Sequence, residues 1–186
     1  MLAALFPALA LAASAAAPDL GVLHQYASVA LSADGRRIVA VETVREAYAT
    51  SEQHGAVVVR DTDGTSRARL DPCAKCKYAG VSWSPDGKQF VFTGSAAGVA
   101  TLYGAASAPK GGWVASKIVE LKGLLETPRW SPDGRSIALL ATAGALKESG
   151  AVQAGAREIG EIGESDAFQR IATVAAPGGE LQFVSP

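Results

Sequence analysis

Three phrases of the form S-x-D-G, each set between apolar-alternating runs, constrain this chain more than anything else in it. Val81–Phe92 reads VSWSPDGKQFVF, Arg129–Leu140 reads RWSPDGRSIALL, and Val29–Ala40 reads VALSADGRRIVA. Their glycines are Gly35, Gly87 and Gly134, so the spacings are 52 and 47 residues. Internal repetition at roughly 40–50 residues is the sequence mark of a β-propeller blade. Three unrelated hairpins would match it less well, because the flanks match and the spacing is near even.

The residue types suit a tight reversal between antiparallel strands. Pro presets φ near −65° at the first corner. Asp bonds its own backbone and starts the turn. Gly accepts positive φ without a Cβ clash. Trp83 and Trp130 precede the prolines by two residues and would supply large apolar area between units. In the first copy Ala33 replaces Pro and Leu31 replaces Trp. A weaker terminal copy is expected of a repeat array.

Read in order, the chain predicts four strands per repeat. Leu20–Tyr26 is a short lead-in. Ser28–Leu31 enters the first turn and Arg36–Val44 leaves it, with Ile38, Ala40 and Glu42 on one face and Val39, Val41 and Thr43 on the other. The polar segment 45–55 reads as a loop. Ala56–Asp61 and Ser66–Leu70 flank an Asp63-Gly64 hairpin signal. In the second repeat Tyr78–Trp83, Lys88–Thr93, Val99–Ala105 and Trp113–Leu121 follow the same plan. The third enters at Pro128–Ser131 and leaves through Arg135–Thr142. A Gly/Ala/Glu segment, about 143–167, then precedes strands at Gln169–Ala175 and Glu180–Val184. The expected architecture is all-β, a partial propeller of three four-stranded antiparallel blades at about 27–72, 77–122 and 127–186. The 143–167 loop is inserted in the third; loops that long are usually functional or disordered.

The rest of the composition excludes more than it assigns. The 186 residues carry a net charge of −1, so there is no basic footprint for nucleic acid and no polybasic membrane patch. Residues 1–17, MLAALFPALALAASAAA, read as a secretory signal peptide, with small residues suited to cleavage, although no Lys or Arg precedes the apolar run. The apolar run is too short to span a bilayer; a buried Ala/Leu helix is the alternative. The mature chain, 18–186, would then be periplasmic or secreted, with no membrane contact after cleavage.

SWSPDGKQFVF and RWSPDGRSIAL resemble the WD40-like repeats of two periplasmic groups. These are the propeller of the prolyl oligopeptidase family of serine peptidases and the propeller protein of the Tol–Pal envelope system. GAVVVRDTDG (Gly55–Gly64), DPCAKCKYAGVSWSPDG (Asp71–Gly87), TPRWSPDG (Thr127–Gly134) and KESGAVQAGAREIGEIGE (Lys147–Glu164) resemble the N-terminal propeller of the peptidases. That resemblance implies a peptide substrate and a C-terminal hydrolase domain in the parent protein, with the propeller gating or orienting peptides. The Tol–Pal likeness implies a stand-alone propeller that binds proteins.

The chain has no G-x-S-x-G elbow, and its two histidines, His24 and His54, both precede the second repeat. No catalytic residue is therefore assigned, and no cofactor or metal is expected. Cys73-Ala74-Lys75-Cys76 lacks the second half of a zinc site and the βαβ setting of a redox motif. In an oxidising compartment its plain reading is a local disulfide between the first two repeats, with redox activity and metal binding as the alternatives. Glu158, Glu161, Glu164 and Asp166 make the insertion acidic. Arg45, Glu46, Glu52 and His54 share the first repeat's long loop. Both groups read as solvated. Tyr48, Tyr78 and Tyr103 read as packing residues. An open arc of three blades is expected to expose apolar surface near Trp83, Trp130 and the third blade's outer face, and so to self-associate.

Overall fold

The computed structural model describes residues 21–46, 53–109, 111–145, 168–176 and 178–186. All of its regular elements are strands: β1 Val22–Leu31, β2 Arg37–Glu46, β3 Ala56–Asp61, β4 Ser66–Leu70, β5 Lys77–Trp83, β6 Gln89–Ala96, β7 Val99–Ser107, β8 Trp113–Trp130, β9 Ser136–Ala143, β10 Arg170–Ala175 and β11 Gln182–Phe183. Every pairing is antiparallel and every strand lies beside its chain neighbour. β1–β4 form one four-stranded sheet, and β5–β11 form a seven-stranded array.

The array divides at Gly123. β8 pairs with β7 over Trp113–Lys122 and with β9 over Gly123–Trp130. Gly123 takes φ 136°, and a Cβ there would run into the Thr142 carbonyl. Only glycine allows the strand to change sheets without breaking. The sequence expects two strands, ending near Leu121 and restarting at Pro128. The chain instead stays extended through all 18 residues of β8.

A second regularity is invisible in residue identities. β1, β5 and β8 each carry a β-bulge, between Ala27 and Ala30, Ala79 and Ser82, and Glu126 and Arg129. Positive φ falls at Ser28 (51°), Gly80 (60°) and Thr127 (45°), each seven residues before the turn glycine. The bulge interrupts the period-two pattern. That is why the lead-in at 20–26 reads as separate, although 22–26 is the first part of β1.

The S-x-D-G turns share one hydrogen-bond scheme. In the second, Gly87 N donates to the Ser84 carbonyl (2.9 Å) and Ser84 N to the Gln89 carbonyl (2.9 Å). The Ser84 hydroxyl donates to Asp86 Oδ1 at 2.6 Å, and Lys88 N donates to the same oxygen at 3.0 Å. Ser32–Asp34 and Ser131–Asp133 repeat the 2.6 Å contact. The turn survives Ala33 because Ser, Asp and Gly close it, not Pro.

Two apolar layers separate the sheets. Val39, Val41, Val57 and Val59 of the first sheet face Trp83, Phe90 and Phe92 of the second. The opposite side of the second sheet, with Val91, Ala100 and Leu102, faces Leu125, Ile137, Leu139, Ala172 and Val174. Each Val, Leu, Ile or Phe among them contributes roughly 1.5–3 kcal/mol on burial. Trp83 is therefore buried, packed edge-on against Phe90 with centroids 5.1 Å apart. The expectation that it lies on exposed apolar surface is corrected: its own neighbouring sheet covers it. Trp130 is partly buried against the second layer. The exposed apolar side chains include Val29 and Leu31 on β1 and Ile171 on β10.

Candidate functional site

Antiparallel connection sorts the loops onto two rims. The three S-x-D-G turns lie side by side on one: a Cβ on Gly87 would sit 3.9 Å from Ser32, and one on Gly134 would sit 3.8 Å from Pro85. The β3–β4 hairpin and the β7–β8 turn share that rim, while the end of β2, the Cys73–Cys76 turn before β5, and the facing ends of β9 and β10 lie on the opposite one. β9 and β10 pair directly, Ser136 with Ala175 through Ala141 with Arg170, so the chain leaves β9 and returns to β10 at this rim, and the segment between them is the insertion expected from the sequence. Its acidic residues Glu158, Glu161, Glu164 and Asp166 lie outside the described residues. So do Tyr48 and Glu52, and the signal-like residues 1–17.

At that rim a polar knot joins the first and second sheets. Cys73 and Cys76 are joined in a disulfide across a tight turn, in which Cys76 N donates to the Cys73 carbonyl at 2.9 Å. The Tyr78 hydroxyl sits at its centre. It accepts from Cys73 N at 2.7 Å and lies 2.8 Å from Asp71 Oδ1 and 3.0 Å from the Cys73 carbonyl. His54 Nε2 lies 2.9 Å from the same Asp71 oxygen. Burial, then the bond to Asp71, push the Tyr78 phenol well above its ordinary range. Burial alone would raise the Asp71 carboxyl, but the bonds from His54 and Tyr78 outweigh it and hold it low. Tyr78 is a packing residue at its ring, edge-on to Phe92 and Tyr103, and a hydrogen-bond hub at its hydroxyl. Tyr103 stacks on Phe92.

The richest charged cluster lies on the outer face of the first sheet. Glu42, with its side chain 5% exposed, accepts from the Tyr26 hydroxyl (2.8 Å) and Arg60 Nη2 (2.9 Å) at Oε1. His24 Nδ1 is 3.1 Å from that oxygen, and Arg69 Nη1 is 3.3 Å from Oε2. Burial would raise this carboxyl; the bonds from Tyr26, His24 and Arg60 and the Arg60 charge together hold it below its ordinary value. Sequence reading placed Glu42 on a face with Ile38 and Ala40 but did not single it out. A charge in an apolar alternation was the available signal. Arg45 and Glu46 prove to be the end of β2 rather than loop residues, and His54 belongs to the polar knot.

Among the described residues the clefts between units include three. One of about 510 Å³ at the turn rim is lined by residues including Asp34, Arg36, Arg37 and Trp113. The Arg37 guanidinium lies 5.5 Å from the Trp83 ring centre and 5.7 Å from that of Trp113. The second, about 410 Å³, lies between the second and third turns, against Asp86 and Trp130. The third, about 100 Å³ and on the insertion rim, is bounded by Lys77, Thr93, Leu124 and Glu126. Gln169, where the insertion returns, donates to Glu126 Oε2 at 3.2 Å. Among the described residues no group of three or more His, Cys, Asp or Glu could hold a metal ion.

No family model matches the chain, and no curated protein matches it. Solved structures do. They include TolB from Acinetobacter baumannii, at 17% identity and a TM-score of 0.55, covering 86% of this chain and 32% of that one. The acylaminoacyl peptidase of Pyrococcus horikoshii matches at 14% identity and a TM-score of 0.54, covering 88% and 25%. A eukaryotic initiation factor matches at 12% and 0.52, covering 89% and 33%. The fold is that of a β-propeller. This chain spans about a third of the length of the TolB it resembles.

Proposed function

We propose that this chain is the propeller part of a secreted serine peptidase of the prolyl oligopeptidase kind. Its three groups of four strands act as blades that gate or orient peptides for a hydrolase domain. The reading rests on the sorting of the connections. The short S-x-D-G turns occupy one rim, while the polar knot of His54, Asp71 and Tyr78 and the ends of β9 and β10 that flank the insertion share the other. A rim that gathers long connections above a rigid scaffold is where propellers and sandwiches commonly place recognition. The insertion then restricts which peptides pass, and the Cys73–Cys76 disulfide braces the rim as a structural staple in an oxidising compartment.

The likeness to TolB favours a second reading, a stand-alone periplasmic propeller that binds proteins. Reading the gene past codon 186 separates the two. Further repeats followed by a G-x-S-x-G segment support the peptidase, and a stop codon after further repeats alone supports the binding module. In a peptidase parent, deleting residues 147–164 should let longer peptides be cleaved while short ones are cleaved as before. Unchanged length selectivity would remove the gating role.

A further inference from the structure

The two boundaries between sheets share a backbone scheme and differ in one side chain. Trp83 and Trp130 hold equivalent places, and each indole N–H donates to a carbonyl of the preceding sheet, Ala30 at 3.1 Å and Ser82 at 3.2 Å. Beside each tryptophan stands the residue two past the turn glycine of the preceding sheet. At the second boundary it is Gln89, which lines the cleft of about 410 Å³ with Trp130. At the first it is Arg37, half-buried in the cleft of about 510 Å³. All three turns close through the same Ser-to-Asp bond, and the second boundary forms with a neutral amide. The scaffold therefore does not need an arginine at position 37.

Trp83 and Trp113 meet edge-on, with ring centres 5.5 Å apart and planes at 75°. The Arg37 guanidinium lies in the corner they make, 5.5 Å from one ring centre and 5.7 Å from the other. The rings attract the cation and hold it in place, but they accept none of its five N–H donors. Among the described residues, neither Arg37 nor Arg36 beside it has a side-chain hydrogen bond or ion pair. The facing wall supplies the Ser107 hydroxyl, the turn at Gly111 and Gly112, and the half-buried ring of Trp113. Asp34 and Asp61 stand in the same walls. Asp34 has its Oδ1 committed to the turn, accepting from the Ser32 hydroxyl at 2.6 Å and from Arg36 N at 3.1 Å.

We propose that this cleft binds a carboxylate attached to an apolar group, either the C-terminal end of a peptide or a small organic acid. The Arg37 fork takes the two carboxylate oxygens side by side, the pairing that a planar guanidinium suits best. Arg36 adds attraction from the rim, and the apolar group lies against Trp113. Because the arginine is already held by the rings, little of its freedom is lost when the ligand arrives. The two aspartates favour a monoanion over a dianion such as phosphate, since their repulsion scales with the ligand's charge. A cleft of about 510 Å³ is in the range of small-ligand sites. It lies on the rim opposite the polar knot and rests on neither reading of function.

The test titrates the full chain with phenylpropionate and with an acetylated alanyl-phenylalanine whose carboxyl end is free. Each is run beside its amide, and inorganic phosphate is run alone. Calorimetry gives the affinities, and the Arg37 Nε–H resonance in heteronuclear NMR spectra reports the place of binding. Both acids should move that resonance, and each should bind at least about tenfold tighter than its amide, the weight of a charge-assisted pair. Arg37→Gln, which repeats the residue found at Gln89, should abolish the preference for acid over amide. Arg37→Lys keeps the charge without the fork and should restore only part of it. Tighter binding of the dipeptide than of phenylpropionate assigns the cleft to peptide ends, and any other order of the two assigns it to small acids; both support the proposal. Equal binding of acid and amide overturns it, as do tighter binding of phosphate than of either acid and an acid preference that survives Arg37→Gln. No saturation by either acid up to about 10 mM, beyond the millimolar range of a weak site, overturns it too. An Arg37 resonance that stays in place while acid binds does so whatever the variants show.

Discussion

The indole N–H of Trp83 donates to the carbonyl of Ala30, 53 residues earlier, across the boundary between the first two sheets. The bond ties the strand that enters one S-x-D-G turn to its equivalent in the preceding unit. Trp83→Phe should keep most of the apolar contact with Phe90 and Trp113 and lose the bond. The expected loss is about 1–2 kcal/mol. Trp83→Ala should cost about 3–5 kcal/mol, because it also opens a cavity. Urea denaturation of the two variants measures both; no loss in Trp83→Phe would mean that the bond contributes nothing.

Glycine substitutions should rank by surroundings as well as by φ. At Gly35 (φ +70°) no atom lies within 4 Å of the added methyl, so Gly35→Ala should cost only backbone strain, about 1–2 kcal/mol. At Gly80 a Cβ would stand 2.8 Å from Pro128 Cδ and 3.3 Å from Thr93 Oγ1, so Gly80→Ala should cost more. Gly123→Ala should be the worst, since its methyl meets a backbone carbonyl that cannot yield. Thermal melts of the three variants give the order directly.

Acid should weaken the first sheet through Glu42. Its folded pKa is depressed below 4.5, so its contribution is present above that value and is lost as pH falls through the folded pKa. Glu42→Gln should lower stability at pH 7 by about 1–2 kcal/mol, a figure discounted because Arg60 and Arg69 are partly exposed and can rehydrate. The difference between variant and wild type should shrink as pH falls through the depressed folded pKa of Glu42, below which the wild-type carboxyl is also neutral. Denaturation midpoints between pH 3 and 7 test this, and a constant difference would assign the effect to packing.

Reduction of Cys73–Cys76 should cost about 2 kcal/mol, the chain-entropy value for so short a loop. For a chain of this size that lowers Tm by roughly 4–8 °C. Removing the phenol hydroxyl by Tyr78→Phe should enhance the effect of the reductant, since the same turn then loses its bond from Cys73 N. Melts with and without dithiothreitol, in both proteins, give the coupling. Strictly additive losses would separate the hydroxyl from the disulfide.

The repeat and its period were legible in the residues, because Ser, Asp and Gly close the turn through local bonds that any copy must keep. The faces of β2 were legible from alternation alone. The strand bounds of β1 and β8 were not: a bulge at Ser28 breaks the alternation, and Gly123 redirects a strand without ending it. Of the candidate site, Cys73, Cys76 and His54 could be named from sequence. Tyr78 could be named only for its packed ring; its hydroxyl's part in the knot, its partner Asp71 and the whole Glu42 cluster could not. His24 and Arg69 come within 3.3 Å of one carboxylate only because four strands, β1 to β4, are paired in register.

Sequence by itself determined what depends on neighbours along the chain: three equivalent turns, antiparallel strands between them, and a long insertion after the third. Tertiary structure decided what depends on stacking: that Trp83 and Trp130 each bond backward to the preceding sheet, and that Arg37 of the first sheet stands against Trp83 and Trp113 of the second. The physical reason is separation. A turn's hydrogen bonds span two to five residues, whereas the bonds that join the sheets span about fifty, and no local pattern encodes which surfaces meet.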